Sequence, residues 1–166
     1  MKDDLDRIGS RGVDHLAELF KDKATSLIFN GDCRNLIATL ANCLPKIRRG
    51  IDPTDQLLLT YKSAGLTGVE SCLIAEMRGP SQPEMIYLAW PLLLQLQMGG
   101  LDLVALCHAK GKQVDAWTYT PQSVGSGLSD AEMAQFLALI ALKPDQITTD
   151  EAVALEKAWL ARPVGR

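Results

Sequence analysis

Between Leu101 and Trp159, helix-like and strand-like patterns alternate, each bounded by a residue that can end it, and this alternation restricts the chain more than any other feature. Leu101 to Lys110 is apolar at most positions and stops at Gly111, the residue that most easily takes the left-handed conformation past a helix end. Gln113 to Tyr119 is rich in strand formers and runs into Pro121. Past a loop containing Gly125-Ser126-Gly127, the run Ser129-Asp130-Ala131-Glu132 is an S-x-x-E capping box. Behind it Met133, Phe136, Leu137 and Ile140 recur at i, i+3, i+4 and i+7, one face of a helix. Lys143-Pro144-Asp145 breaks that helix, Gln146 to Thr149 is a short strand, and Asp150 stands where the last helix starts. Strands alternating with helices of this length imply parallel pairing through right-handed crossovers.

The upstream residues extend the same alternation. Residues 1–11 are polar and expected to fray. Val13, Leu16, Leu19 and Phe20 give a helical stripe, and Ser26 to Asn30 reads as a buried strand. Asp32 is a suitable N-cap for a helix carrying Leu36, Ile37, Leu40, Ala41 and Leu44, closed by Pro45. Lys46 to Asp52 is a short strand whose two arginines predict an exposed or edge position. In the least legible part, residues 53–84, Leu57 to Leu66 suits a helix, Val69 to Ala75 a helix or a strand, and Gly79 to Pro83 a loop. Met85 to Trp90 is a further buried strand, and Leu92 to Gln97 a short apolar segment ending at Gly99-Gly100. The expected fold class is α/β, with about five parallel strands alternating with helices.

At 166 residues and 18.1 kDa the chain suits a single domain, residues 1–166, with a sizeable core. A net charge of -3 offers no basic excess for nucleic acid, and no partner of that kind is expected. Cys33, Cys43, Cys72 and Cys107 form no C-x-x-C pair, so free thiols in a reducing cytosol are expected rather than a zinc site or a disulfide framework. Met1-Lys2-Asp3-Asp4 lacks the apolar core of a signal peptide. No apolar run approaches the ~20 residues that span a bilayer, so the expected location is the cytoplasm.

Three segments carry a resemblance. His108 to Gly111, Val114 to Thr118 and Asp145 to Asp150 lie within LVALCHAKGKQVDAWTYTP and KPDQITTDEAVAL. They resemble the C-terminal end of the glycerophosphodiester phosphodiesterase family: a helix ending in His-x-x-Gly, a strand ending in Val-x-x-Trp-Thr, and a final Asp-x-Ile-Thr-Asp strand. The stretch SLIFNGDCRNLIATLANCLPKIRRGI is similar to that family's preceding strand, helix and junction. The resemblance implies a partial TIM-barrel-like fold, because a complete barrel of this type takes about 250 residues.

Members of that family hold a divalent metal with several carboxylates and use two histidines as general acid and base on a phosphodiester. Those groups come from a His-Arg-Gly strand, a Glu-x-Asp strand, a His-Asp pair and a further Glu, and none of these motifs is intact in this chain. Ser10-Arg11-Gly12 echoes the first of them, but a serine cannot do the histidine's work. The only histidines, His15 and His108, fall in predicted helices, and Glu70, Glu76 and Glu84 have no metal-site spacing. No catalytic residue, no metal site and no cofactor is therefore assigned.

By the resemblance, Trp117 packs against the glycerol part of a substrate, and Trp90 occupies a comparable strand end. Both stand as substrate-binding candidates, with a core role as the alternative for each. Tyr119-Thr120 follows where the family more often has Val-Asn, which alters the local pocket. Asp150 is expected to cap the last helix, with Thr148 and Glu151 forming a second capping box. Gly125 to Gly127 precedes a helix N-terminus, a place where backbone N–H groups can hold phosphate, although a plain loop is the better reading.

The expected function is thus a glycerophosphodiester phosphodiesterase-like domain without the N-terminal catalytic motifs, inactive alone, with a binding or scaffold role toward a glycerol phosphate-type small molecule. The alternatives are half of a composite phosphodiesterase completed by a partner, and an unrelated small α/β binding domain. Ile28, Ile86, Leu88 and Ile147 are expected to form an apolar inner face that a homodimer, or a partner chain completing the barrel, would cover.

Overall fold

The computed structural model describes residues 5–31, 33–122 and 128–161. Strands β1 (Ile28–Gly31), β2 (Arg48–Ile51), β3 (Met85–Ala89), β4 (Gln113–Trp117) and β5 (Gln146–Ile147) pair in sequence order, every pair parallel. Helix α1 (Leu5–Phe20) precedes them. α2 (Arg34–Cys43), α3 (Thr54–Arg78), the pair α4 (Trp90–Met98) and α5 (Leu103–Ala109), and α6 (Asp130–Ala141) make the successive crossovers, and α7 (Ala152–Ala161) follows β5. Consecutive parallel strands joined through helices give an α/β, partial TIM-barrel-like arrangement.

The helices gather on one face of the sheet. Ile51, Ile86, Leu88, Val114 and Ala116 are wholly buried there against Leu57, Leu73, Leu93, Leu96, Leu103 and Leu139. A second cluster, of Val13, Leu16, Ala24, Leu40, Leu44 and Ile47, fixes α1 and the 3-10 turn Lys21–Ser26 to α2 and the start of the sheet. Side chains alternate between sheet faces, so the other, inner face receives Ile28 and Asn30, Arg48 and Gly50, Met85, Tyr87 and Ala89, Gln113, Asp115 and Trp117, and Gln146. Of the four residues expected to make that face apolar, only Ile28 does. Ile86, Leu88 and Ile147 belong to the helix-covered core, because the register places each of them beside Ile51, Val114 or Ala116.

Two helix ends account for the glycines around α5. Gly100 (φ +92) follows α4, with Gly100 N–H donating to Gln97 O and Leu101 N–H to Leu96 O, both at 2.9 Å. Gly111 (φ +68) follows α5, with its N–H on His108 O at 2.9 Å and Lys112 N–H on Cys107 O at 3.0 Å. Each pair of bonds is a Schellman motif that satisfies the last carbonyls and turns the chain into its next element.

Several expectations need correction. α1 begins at Leu5, so residues 5–11 belong to a helix rather than a frayed end. β2 lies between β1 and β3 and is no edge strand. Its arginines are accommodated by partners: Arg48 Nη2 donates to Gln113 Oε1 on the inner face, and Arg49 forms a two-nitrogen ion pair with Glu84. Glu76 pairs in turn with Arg34 at 2.9 Å. Val69 to Ala75 is helical within α3, which breaks at Gly65 (φ +64). Among the described residues no single helix is long and apolar enough to cross a membrane. Asp32 and Gly125 to Gly127 lie outside the described residues.

Candidate functional site: the inner sheet face

Trp117 ends β4 on the inner face, opposite Ala89 of β3, and is partly buried. Asp115 stands two residues earlier on the same face, opposite Tyr87, and is 1% exposed. Tyr87 lies over Gly50: a methyl carbon on Gly50 would fall 2.5 Å from the ring's Cε2 and 3.4 Å from Ile28 Cγ2. A small residue beside a large one is how the interior of a barrel fills. Gln113 and Arg48, bonded to each other, complete this face toward the starts of the strands.

The electrostatics centre on Asp115. Burial pushes its carboxyl above the usual carboxylate range, and the hydrogen bonds from Thr148 only partly offset this. The Thr148 hydroxyl lies 3.0 Å from Oδ1 and 2.8 Å from Oδ2, joining β4 to the residue that follows β5. Tyr87 is pushed up first by burial and next by the Asp115 charge, while Arg48 pulls it down. Asn30 Oδ1, at the β1 side of the face, is buried and has no hydrogen-bond partner among the described residues. One aromatic platform, a phenol, a carboxyl, a guanidinium and three amides therefore share the inner face, and all of them except Asp115 are at least partly exposed.

Trp90 and Trp117 do not come together. Trp90 is the first residue of α4, with Pro91 next to it, and its ring meets the Tyr119 ring edge-on, centroids 5.1 Å apart. Tyr119 packs further on Phe136 and donates its hydroxyl to Glu132 O at 2.7 Å. Trp90 thus sits on the helix-covered core, and of the two tryptophans Trp117 alone is on the inner face.

The residues beyond the ends of β4 and β5 are used structurally. Ser129 and Glu132 form the expected capping box of α6, and the Glu132 carboxylate also accepts from Gln122 N–H at 2.6 Å. Near α7, Thr149 rather than Thr148 accepts from Glu151 N–H, at 3.0 Å, because the Thr148 hydroxyl is engaged with Asp115. Asp150, expected as a cap, accepts from the Thr120 hydroxyl at 3.1 Å. His108 is exposed at the end of α5 and bonds Asp145 Oδ2 at 2.9 Å, the same oxygen that accepts Val114 N–H at 2.8 Å. Among the described residues no group of three or more His, Cys, Asp or Glu could hold a metal ion.

Sequence reasoning singled out Trp117 and did not single out Tyr87, Asp115 or Arg48, which share its sheet face. The signal for Asp115 was present, since a residue two before Trp117 in a strand must share its face. No protein-family model matches the chain, and no curated protein matches it either.

Proposed function

We propose that this chain is a glycerophosphodiester phosphodiesterase-like half-barrel that binds a glycerol phosphate-type small molecule on its inner face and has no phosphodiesterase activity alone. One observation carries the reading. Trp117, the residue singled out by the resemblance, lies on the inner face among polar groups, whereas Trp90 is taken up by the core. In this reading the carbon skeleton of the ligand lies on the Trp117 ring, and Tyr87, at the next inner-face level, offers its hydroxyl to the ligand's oxygens. The four free cysteines suit a reducing cytoplasm, with Cys107 buried and its thiol pushed up to about 12 by burial, so it stays protonated and inert.

The test is titration of the chain with glycerol 3-phosphate, read by tryptophan fluorescence. Wild type should respond, and Trp117→Ala should lose the response while Trp90→Phe keeps it. If Trp117→Ala instead mainly destabilises, by the ~3–5 kcal/mol of an emptied aromatic site, Trp117 is core and the binding reading fails. Glycerophosphocholine should not be turned over by the chain alone, and magnesium-dependent turnover abolished by chelator would contradict the inactive assignment.

A second reading, half of a composite enzyme, is favoured by the sheet edges. Among the described residues β1 pairs only with β2 and β5 only with β4, which leaves two edges to which a partner could add strands.

A further inference from the structure

β5 is the shortest strand of the sheet and is held partly by side chains. It matches β4 over two residues, Asp115↔Gln146 and Ala116↔Ile147. Backbone bonds flank that register: Asp145 N–H to Val114 O at 3.0 Å, Thr148 N–H to Ala116 O at 3.0 Å, and Tyr119 N–H to Thr148 O at 2.8 Å. Side chains add links at each end: the Asp145 carboxylate to His108 and to Val114 N–H before the strand, and Thr148 to Asp115 after it. Thr148 supplies every hydrogen bond that Asp115 receives among the described residues, and Asp115 is 1% exposed. The edge strand therefore helps to roof a carboxyl that water would otherwise reach.

We propose that β5, with α7 behind it, is a proton-controlled latch on Asp115, seated while that carboxyl is protonated and loosened as it ionises. The driving force is solvation. An ionised carboxyl in this position gains one hydroxyl bond while it stays covered, and a full hydration shell once the strand lifts.

The sign follows from linkage. Burial raises Asp115 above its ordinary value in the seated state, so seating is fully favoured below the value of the released state and is lost as pH rises through the seated value. The groups facing Asp115 are Tyr87 from β3, itself pushed up and so neutral in this range, and Gln146 and Thr148 from the β5 side, which do not titrate. Arg48 on β2 acts on Tyr87 across the same face. At the far end of the strand, Asp145 is held below the usual range, so it is already ionised where Asp115 titrates.

Amide hydrogen exchange on the full chain between about pH 4 and pH 8, corrected for intrinsic rates, tests the latch. Protection at Thr148 and Tyr119 should fall by up to about tenfold per pH unit over the titration of one carboxyl, and should stay below that of Ile86 and Leu88 in β3 throughout. Asp115→Asn should flatten the dependence. His108→Gln, which removes the ring bonded to Asp145, should leave it in place. A full slope surviving in Asp115→Asn, or one abolished by His108→Gln, would overturn the proposal. Should Asp115→Asn fail to fold, Thr148→Val decides. Loss of the hydroxyl that favours the ionised form must move the midpoint of the transition to higher pH, and an unmoved midpoint rejects the latch.

Discussion

Tyr87 occupies the volume that a side chain on Gly50 would need, so the two positions form one packing unit across neighbouring strands. Gly50→Ala should therefore cost about 1–3 kcal/mol, the usual range for overpacking, by displacing the ring. Combining it with Tyr87→Leu should cost clearly less than the sum of the two single changes. Urea unfolding of the four variants measures this coupling, and strict additivity would mean that the ring moves aside freely. Asp145 makes a different kind of residue-scale prediction. Burial pushes its carboxyl up, but the bonds from Val114 N–H and His108 outweigh it, and the net shift is downward. A carboxylate lowered by folding contributes stability that is present above its unfolded value, about 3.9, and lost as pH falls through the folded value. Thermal melts between about pH 2 and pH 6 should show Asp145→Asn to be less stable than wild type at the upper end and nearly equal to it at the lower. An equal deficit across the range would mean that the amide's loss is steric rather than electrostatic.

Elements were legible where punctuation and period agreed. The capping box at Ser129 and the glycines after α4 and α5 mark helix ends through local chemistry alone, and the structure uses each of them as such. β2 was misplaced because Arg48 and Arg49 suggest an edge, whereas their partners Gln113 and Glu84 come from strands or loops 35 to 65 residues away. No local pattern records such pairing. The same limit hid the use of Thr148: its spacing to Glu151 suits a cap, but a buried carboxyl on β4 claims its hydroxyl. At the site, Trp117 came from its motif. Which face it shares, and with whom, follows only from the register, and that is why Ile86 and Leu88 were assigned to the wrong side.

On the scale of the whole molecule, the edges of β1 and β5, open among the described residues, invite completion by a second chain. We expect a homodimer, and light scattering in dilute buffer should return twice 18.1 kDa. A mass of one chain across the concentration range would exclude it and favour a different partner. The contact is expected to run along the strand edges, since the inner face is lined by Tyr87, Asp115, Trp117 and Arg48 rather than by the aliphatic residues that a shared core requires. The order of the strands carries one more consequence. Because, among the described residues, each strand pairs only with its neighbours in sequence, most of the loops that must close during folding span a single crossover, and the entropic cost of closing them stays small. Such a chain can assemble progressively, each new strand docking on an edge already formed, with the β3–β4 pair, whose helix-facing residues Ile86, Leu88, Val114 and Ala116 are wholly buried, as the natural seed. It can also lose its outermost β5–α7 unit without unthreading anything inside.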